Sequence, residues 1–182
     1  GIVYIDFSDP REPKVLKLDV DLAKYGYGIC IIDSGADHAD LTDEYAAIPR
    51  ELSELCRCFG RDYLREIPKE HFIKKIPELR DKVSDRAILR AFHIYQENDR
   101  VEHQVEALHW DDIDAFLELV NESGNSSWMY LQNITPTGAV DHQEMAVALA
   151  LCKMLLRGEG ACRVHGGGFA GTIQAFVPLD RL

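Results

Sequence analysis

The stretch "RVHGGGFAGTIQAF", residues 163–176, decides how the rest of this chain is to be read. Four glycines fall within six positions, Gly166, Gly167, Gly168 and Gly171, between two runs of β-forming residues. Such a density removes side chains where something must come close to the backbone, or where φ must be positive. Gly166-x-Gly168-x-x-Gly171 formally matches the dinucleotide-binding fingerprint, but that motif opens a helix and is followed by an acidic residue about 20 positions on. Here "TIQAFVP" is β-rich and only 11 residues remain after Gly171, so the context does not fit. No Gly-Lys-Ser/Thr follows, which excludes a P-loop. Two readings stay open. One is a hairpin bulge that needs positive φ; the other is a loop whose bare N–H groups approach an anion, or another phosphate-binding loop. Four glycines are more than a plain hairpin needs, which favours the second.

Outward from that stretch, the chain has 182 residues, enough for one domain with a sizeable core. Hydrophobic residues are 46% and charged residues 28%, the balance of a globular chain rather than a disordered one. No run approaches the roughly 18 apolar residues of a membrane span. No secretory leader pattern opens the chain, so a cytoplasmic location is expected. The net charge of −11 disfavours nucleic-acid partners but leaves room for a local anion site. The five cysteines, Cys30, Cys56, Cys58, Cys152 and Cys162, are odd in number and form no C-x-x-C pair, so free thiols are expected. Cys162-x-x-His165 is half of a metal pattern with no second half, and no metal site is assigned to this chain.

Element by element, "IVYIDF" and "VLKLDV" read as short strands around a turn with Pro10 and Pro13, and "YGICIID" as a stronger, central strand. Tyr45, Leu52, Leu55 and Phe59 recur at helical spacing and predict a helix over 42–59, with Pro49 as a kink and Gly60 as its stop. "PKEHFIKKIPELR" predicts a short helix that breaks before Pro77. Ser84 is a good N-cap for a long helix through Leu108, and "DDIDAFLELVNES" predicts another. "GNSSWMYLQNITPTGAV" reads as a loop. Asp141 and Glu144 form a capping signal for "MAVALALCKMLL", which is apolar on nearly all sides and is expected to be buried. "ACRVH" and "TIQAFVP" are the closing strands, pairing antiparallel beside "YGICIID". Early strands, middle helices and late strands predict an α+β fold with a mostly antiparallel sheet.

Val-His-Gly-Gly-Gly-Phe-Ala-Gly, residues 164–171, on a strand-loop-strand near the C-terminus, resembles the third motif of the GHMP kinases, galactokinases in particular. "IIDSGADHADLTDEY" is similar to the galactokinase segment where a strand leads to a small polar pair, a His and a Glu-Tyr pair. "RAFHIYQENDRVEHQVEAL" resembles that family's Arg-Ala-x-His-x-x-x-Glu-x-x-Arg helix, and "LVNES" its helix end. The resemblance covers nearly all 182 residues and implies a GHMP-kinase C-terminal domain over 1–182, ferredoxin-like, with residues 1–25 as possible strands of an upstream lobe's sheet. It implies the C-terminal half of a protein roughly twice as long. The family's serine-rich ATP loop and catalytic aspartate would then lie upstream.

The resemblance also implies roles. Gly166, Gly167, Gly168, Phe169 and Gly171 would support the phosphates of ATP, Tyr45 would contact the sugar, and Ser34 and His38 would shape the cleft. The partners would be a small sugar, ATP and the upstream half of the same polypeptide, with Mg²⁺ held mainly by that half. The implied reaction moves the γ-phosphoryl of ATP to the C1 hydroxyl of galactose or a related sugar. The alternative is a non-catalytic sugar- and ATP-sensing regulator or pseudokinase on the same fold. No catalytic residue is assigned to this chain, which alone is expected to be inactive. The carboxylates around His38 lack calcium-loop spacing and read as capping and solvation. His93, Glu97 and Arg100, at i, i+4 and i+7, read as a structural helix-face row. Against the family pattern, His165 replaces a small hydroxyl and Ala170 a glycine.

Overall fold

A computed structural model describes residues 2–9, 11–36 and 41–182. His38, assigned above to the cleft, and its neighbours Asp37 and Asp40 lie outside the described residues. The order is β1 (Ile2–Asp6), β2 (Lys14–Leu18), β3 (Tyr27–Asp33), α1 (Thr42–Arg57), α2 (Lys69–Leu79), α3 (Asp85–His109), α4 (Ile113–Ser126), α5 (Glu144–Leu156), β4 (Ala161–Val164) and β5 (Thr172–Pro178). The fold is α+β, as expected.

β1 and β2 form an antiparallel hairpin of their own, Ile2 opposite Leu18 and Asp6 opposite Lys14. The main sheet runs β3-β5-β4, antiparallel throughout; the central strand is β5, and β3, expected to be central, is an edge strand whose Ile29, Ile31 and Ile32 are exposed, because continuous apolarity does not say which strand is covered on both sides. β5 pairs Cys30 with Ala175 on one side and Cys162 with Ala175 on the other. Residue 172 onward is therefore strand, which removes the dinucleotide reading of the glycines. Period-2 alternation then sorts β5. Ile173 and Ala175 pack with Cys162 and Val164 against Met145, Leu149 and Leu156 of α5. Phe176 turns the other way and joins Ala161, Leu108, Phe116 and Val120 of α3 and α4, with the Phe116 and Phe176 rings edge to face at 5.5 Å. A third cluster, around Leu55, Phe72 and Ile88, ties α1, α2 and α3 together. Each such side chain contributes about 1.5–3 kcal/mol when fully buried.

Four further expectations about the elements are corrected. α2 does not break before Pro77. The proline sits near the helix end, so the chain loses one bond, that of the Ile73 carbonyl, rather than a turn. "GNSSWMYLQ" is not a loop: α4 runs through Ser126 and a π-helical turn continues over Ser127–Leu131. The Ser126 hydroxyl faces His93 Nδ1 instead of competing for the helix backbone. Asp141 does not cap α5; the N-cap is Gln143, which makes no side-chain capping bond and instead donates its amide to the Ala139 carbonyl at 3.0 Å. Finally, α5 is buried on one face only. Val147 is 65% exposed and Met154 74%, with Leu151 and Leu155 beside them. The sheet buries one stripe of the helix, and nothing among the described residues lies over its outer side.

Candidate functional site

The glycine loop connects β4 to β5 and is pinned at both ends. His165 donates its backbone N–H to the Thr172 carbonyl at 3.0 Å, and His165 Nδ1 lies 2.9 Å from Thr172 Oγ1. Ser34, just after β3, donates both its N–H (2.8 Å) and its hydroxyl (2.6 Å) to the Gly171 carbonyl. β3's end is thus tied to the loop's end.

What approaches the glycines is the chain itself. Gly168 has φ +89°, and a Cβ there would stand 2.0 Å from the Asn133 backbone oxygen. That oxygen accepts the N–H of Phe169 at 2.5 Å. Asn133 Nδ2 donates to the Gly167 carbonyl at 2.9 Å. At Gly167 a Cβ would lie 3.0 Å from Tyr45 Cε1. The Tyr45 hydroxyl donates to the Gly168 carbonyl at 2.7 Å. Phe169, at φ +59°, is buried with Leu41 and Ala170 and meets the Tyr45 ring edge to face at 5.4 Å. Phe169 is therefore the loop's apolar anchor. Gly166 (φ +77°) and Gly167 are exposed, and their N–H groups have no acceptor among the described residues. Those two donors are what the loop offers to a ligand. A cavity of about 260 Å³ opens beside Phe169, walled by Leu41, Ile134, Pro136 and Glu144.

Sequence reasoning missed two supports of this site. Asn133 fell in a stretch read as loop, and its contacts are 34 residues away, a distance no local pattern reports. The second is a buried ion cluster that holds α1, and with it Tyr45. Glu51 receives Arg86 Nε at 3.0 and 3.2 Å and Arg90 Nη1 at 2.8 Å. Arg90 is fully buried and also donates from Nε to the Leu131 carbonyl at 3.0 Å. Burial pushes the Arg90 guanidinium down from its ordinary value, and Glu51 opposes this. Arg86 and Arg90 stand four apart on α3, a visible spacing, but their partner is on another helix.

His93, Glu97 and Arg100 do form a row, and it is a packing device between helices and sheet. Glu97 accepts bonds from Ser123, Arg100 and Arg163, and His93 Nδ1 lies 2.9 Å from Ser126 Oγ. Burial pushes the Glu97 carboxyl up, but Ser123, Arg163 and Arg100 outweigh it, and the group titrates below its usual range. Burial pushes His93 down.

No protein-family model matches the chain. A galactokinase of Actinobacillus pleuropneumoniae is 32% identical over 158 residues, covering 87% of this chain and 39% of that protein. A galactokinase of Haemophilus influenzae is 30% identical over 154 residues, covering 85% of this chain and 38% of that protein. Among solved structures, that of Lactococcus lactis galactokinase complexed with galactose superposes with a TM-score of 0.71 at 20% identity, over 93% of this chain and 41% of that one. The fold thus defines the class: an α+β unit shared with a galactokinase structure. The sequence matches narrow it to a galactokinase-like segment, similar to the C-terminal part of such a protein. The chain spans about two-fifths of the length of the curated relatives it matches.

Proposed function

We propose that this chain is the C-terminal domain of an ATP-dependent, galactokinase-like sugar kinase that phosphorylates the C1 hydroxyl of galactose or a related sugar. One observation carries the reading. Tyr45, the residue the resemblance assigns to the sugar, donates to Gly168 of the loop assigned to the phosphates, 2.7 Å away and 123 positions along the chain. A phosphoryl-transfer site requires those two functions side by side.

In the reaction, the C1 oxygen forms a bond to the γ-phosphorus and the bond from that phosphorus to the bridging oxygen of ADP breaks. The proton of the C1 hydroxyl leaves to a general base, assigned to the upstream half. This chain's part is positional. The exposed N–H groups of Gly166 and Gly167 fit a phosphate oxygen, since they are donors with no competing acceptor among the described residues. Tyr45 holds the loop while keeping a flat ring at the boundary where a sugar would pack. Magnesium, when bound, neutralises charge on the transferring phosphate. Its ligands are assigned to the upstream half, as the resemblance implies, and no step here is routed through it.

The test is coupled-assay turnover with galactose and related sugars, for this chain and for the full polypeptide with its upstream half. The chain alone should be inactive, because the base and metal-holding parts are each worth ~10³-fold or more. The full protein should turn over, and Gly167→Val in it should remove at least ~100-fold of the rate, since its side chain would enter the Tyr45 ring. Turnover by the chain alone would defeat the division of labour. A full protein that binds sugar and never turns over would move the reading to a sugar-sensing regulator.

A further inference from the structure

Behind the glycine loop, on the other side of segment 133–137, lies a second cavity of about 410 Å³. Ile134 and Pro136 line both cavities and form the shared wall. Its volume is within the range of small-molecule sites, ~300–1,000 Å³. One side is apolar: Trp128 and Met129, both partly exposed to solvent. The rest is polar with bonding capacity unspent. The Gln132 carboxamide, the Thr135 hydroxyl and the Trp128 indole N–H line or border it and bond to no other group among the described residues. The Thr137 hydroxyl accepts from Arg86 Nη1 at 2.9 Å and keeps its own proton to donate. The backbone has been bent to build this wall. A π-helical turn over Ser127–Leu131 ends at Gln132 in the left-handed region, φ 56° and ψ 50°.

We propose that this cavity is a carbohydrate site, separate from the glycine loop, that takes a neutral ligand of monosaccharide or disaccharide size. The apolar C–H face of a sugar ring would pack on Trp128, and its hydroxyls would meet both donors and acceptors at Gln132, Thr135 and Thr137. Charge disfavours an anionic ligand. The Arg86 guanidinium is already committed to Glu51, with Nη2 at 2.5 Å from Oε1 and Nε at 3.0 Å. An anion would also meet the Glu44 carboxylate, which accepts from the Thr137 N–H at 2.7 Å, in a chain of net charge −11. The site stands whether or not the chain serves phosphoryl transfer.

The chain has two tryptophans, Trp128 at this cavity and Trp110, 75% exposed at the end of α3. Intrinsic fluorescence therefore reads the site. The probes are galactose, glucose and lactose, each to about 100 mM, with Kd expected on the order of 1–10 mM for at least one. Wild type and Trp110→Phe should show a saturable change, and Trp128→Phe none, with unchanged circular dichroism. Thr135→Ala should weaken binding about 5- to 10-fold with Trp128 intact. Tyr45→Phe should leave the titration unchanged, which separates this site from the one proposed for the kinase reaction. The proposal is overturned if no probe gives a saturable change, if the change survives Trp128→Phe, or if it vanishes in Tyr45→Phe.

Discussion

The glycine loop and the Glu97 cluster both join remote parts of the chain, one through its backbone and the other through side chains. At the loop, carbonyls of Asn133, Gly167, Gly168 and Gly171 accept the ties that hold it. At Glu97, the carboxylate gathers Ser123, Arg100 and Arg163, side chain to side chain. A centre made of backbone is sensitive to the space around each Cα. A centre made of side chains is sensitive to their identity and charge. Single substitutions separate the two.

The largest effect is expected at Gly168. Alanine there places a Cβ 2.0 Å from a backbone oxygen and in a left-handed conformation at once. The nearest atom is backbone rather than a flexible side-chain end, so the loop must leave Asn133. Gly168→Ala should destabilise by more than about 4 kcal/mol or prevent folding, read by urea unfolding. A loss under about 1 kcal/mol would mean that the loop and Asn133 are not locked together. Next comes Glu97→Ala. It leaves Arg100 and Arg163 without their shared anion, and should lose about 3 kcal/mol. Glu97→Gln, which keeps the shape and a hydrogen-bond acceptor, should recover part of that loss, as a charge-and-bond centre requires. At Gly166 the space is open, with no atom within 4 Å of where a Cβ would stand, but φ is +77°. Gly166→Ala should therefore register only the conformational term, about 1–2 kcal/mol.

The contrast also explains what could be read from the sequence. The antiparallel order of "YGICIID", "ACRVH" and "TIQAFVP" was legible because strand patterning and glycine punctuation are local signals. So was the Ser84 cap, whose hydroxyl accepts the Ala87 N–H at 3.1 Å. The end of α4 was not. Gly124 and Ser126 look like loop composition. In the structure Ser123 serves Glu97, Ser126 faces His93, and Gly124 lets α4 approach β4 so closely that a Cβ would touch the Cys162 carbonyl at 3.0 Å. Tertiary partners overrode propensity there. The glycines themselves were legible as a close approach, but the approaching groups, Asn133 and Tyr45, are set by the fold. The outer face of α5 was misread for a related reason: all-round apolarity says that a helix has two apolar sides, and not which of them this chain covers.

The smallest effect concerns pH at the side-chain centre. His93 sits among Glu97, Arg163 and Arg100, and burial holds it below its ordinary value against the pull of Glu97. A histidine whose folded value is depressed binds its proton more readily when unfolded. Its contribution to stability is then present above the unfolded value, about pH 6.5, and is lost as pH falls below that toward the folded one. Glu97, held below its usual range, acts in the same direction at lower pH. The urea midpoint should therefore fall between about pH 7 and pH 5.5, and fall less in His93→Gln, which cannot take the proton. The glycine loop supplies the control. Gly166→Ala should lower the midpoint at both pH values by the same amount, because nothing it alters titrates in that window. Equal slopes for wild type and His93→Gln would show that the histidine is protonated as easily folded as unfolded, and that the Glu97 centre is held by its arginines and serine alone.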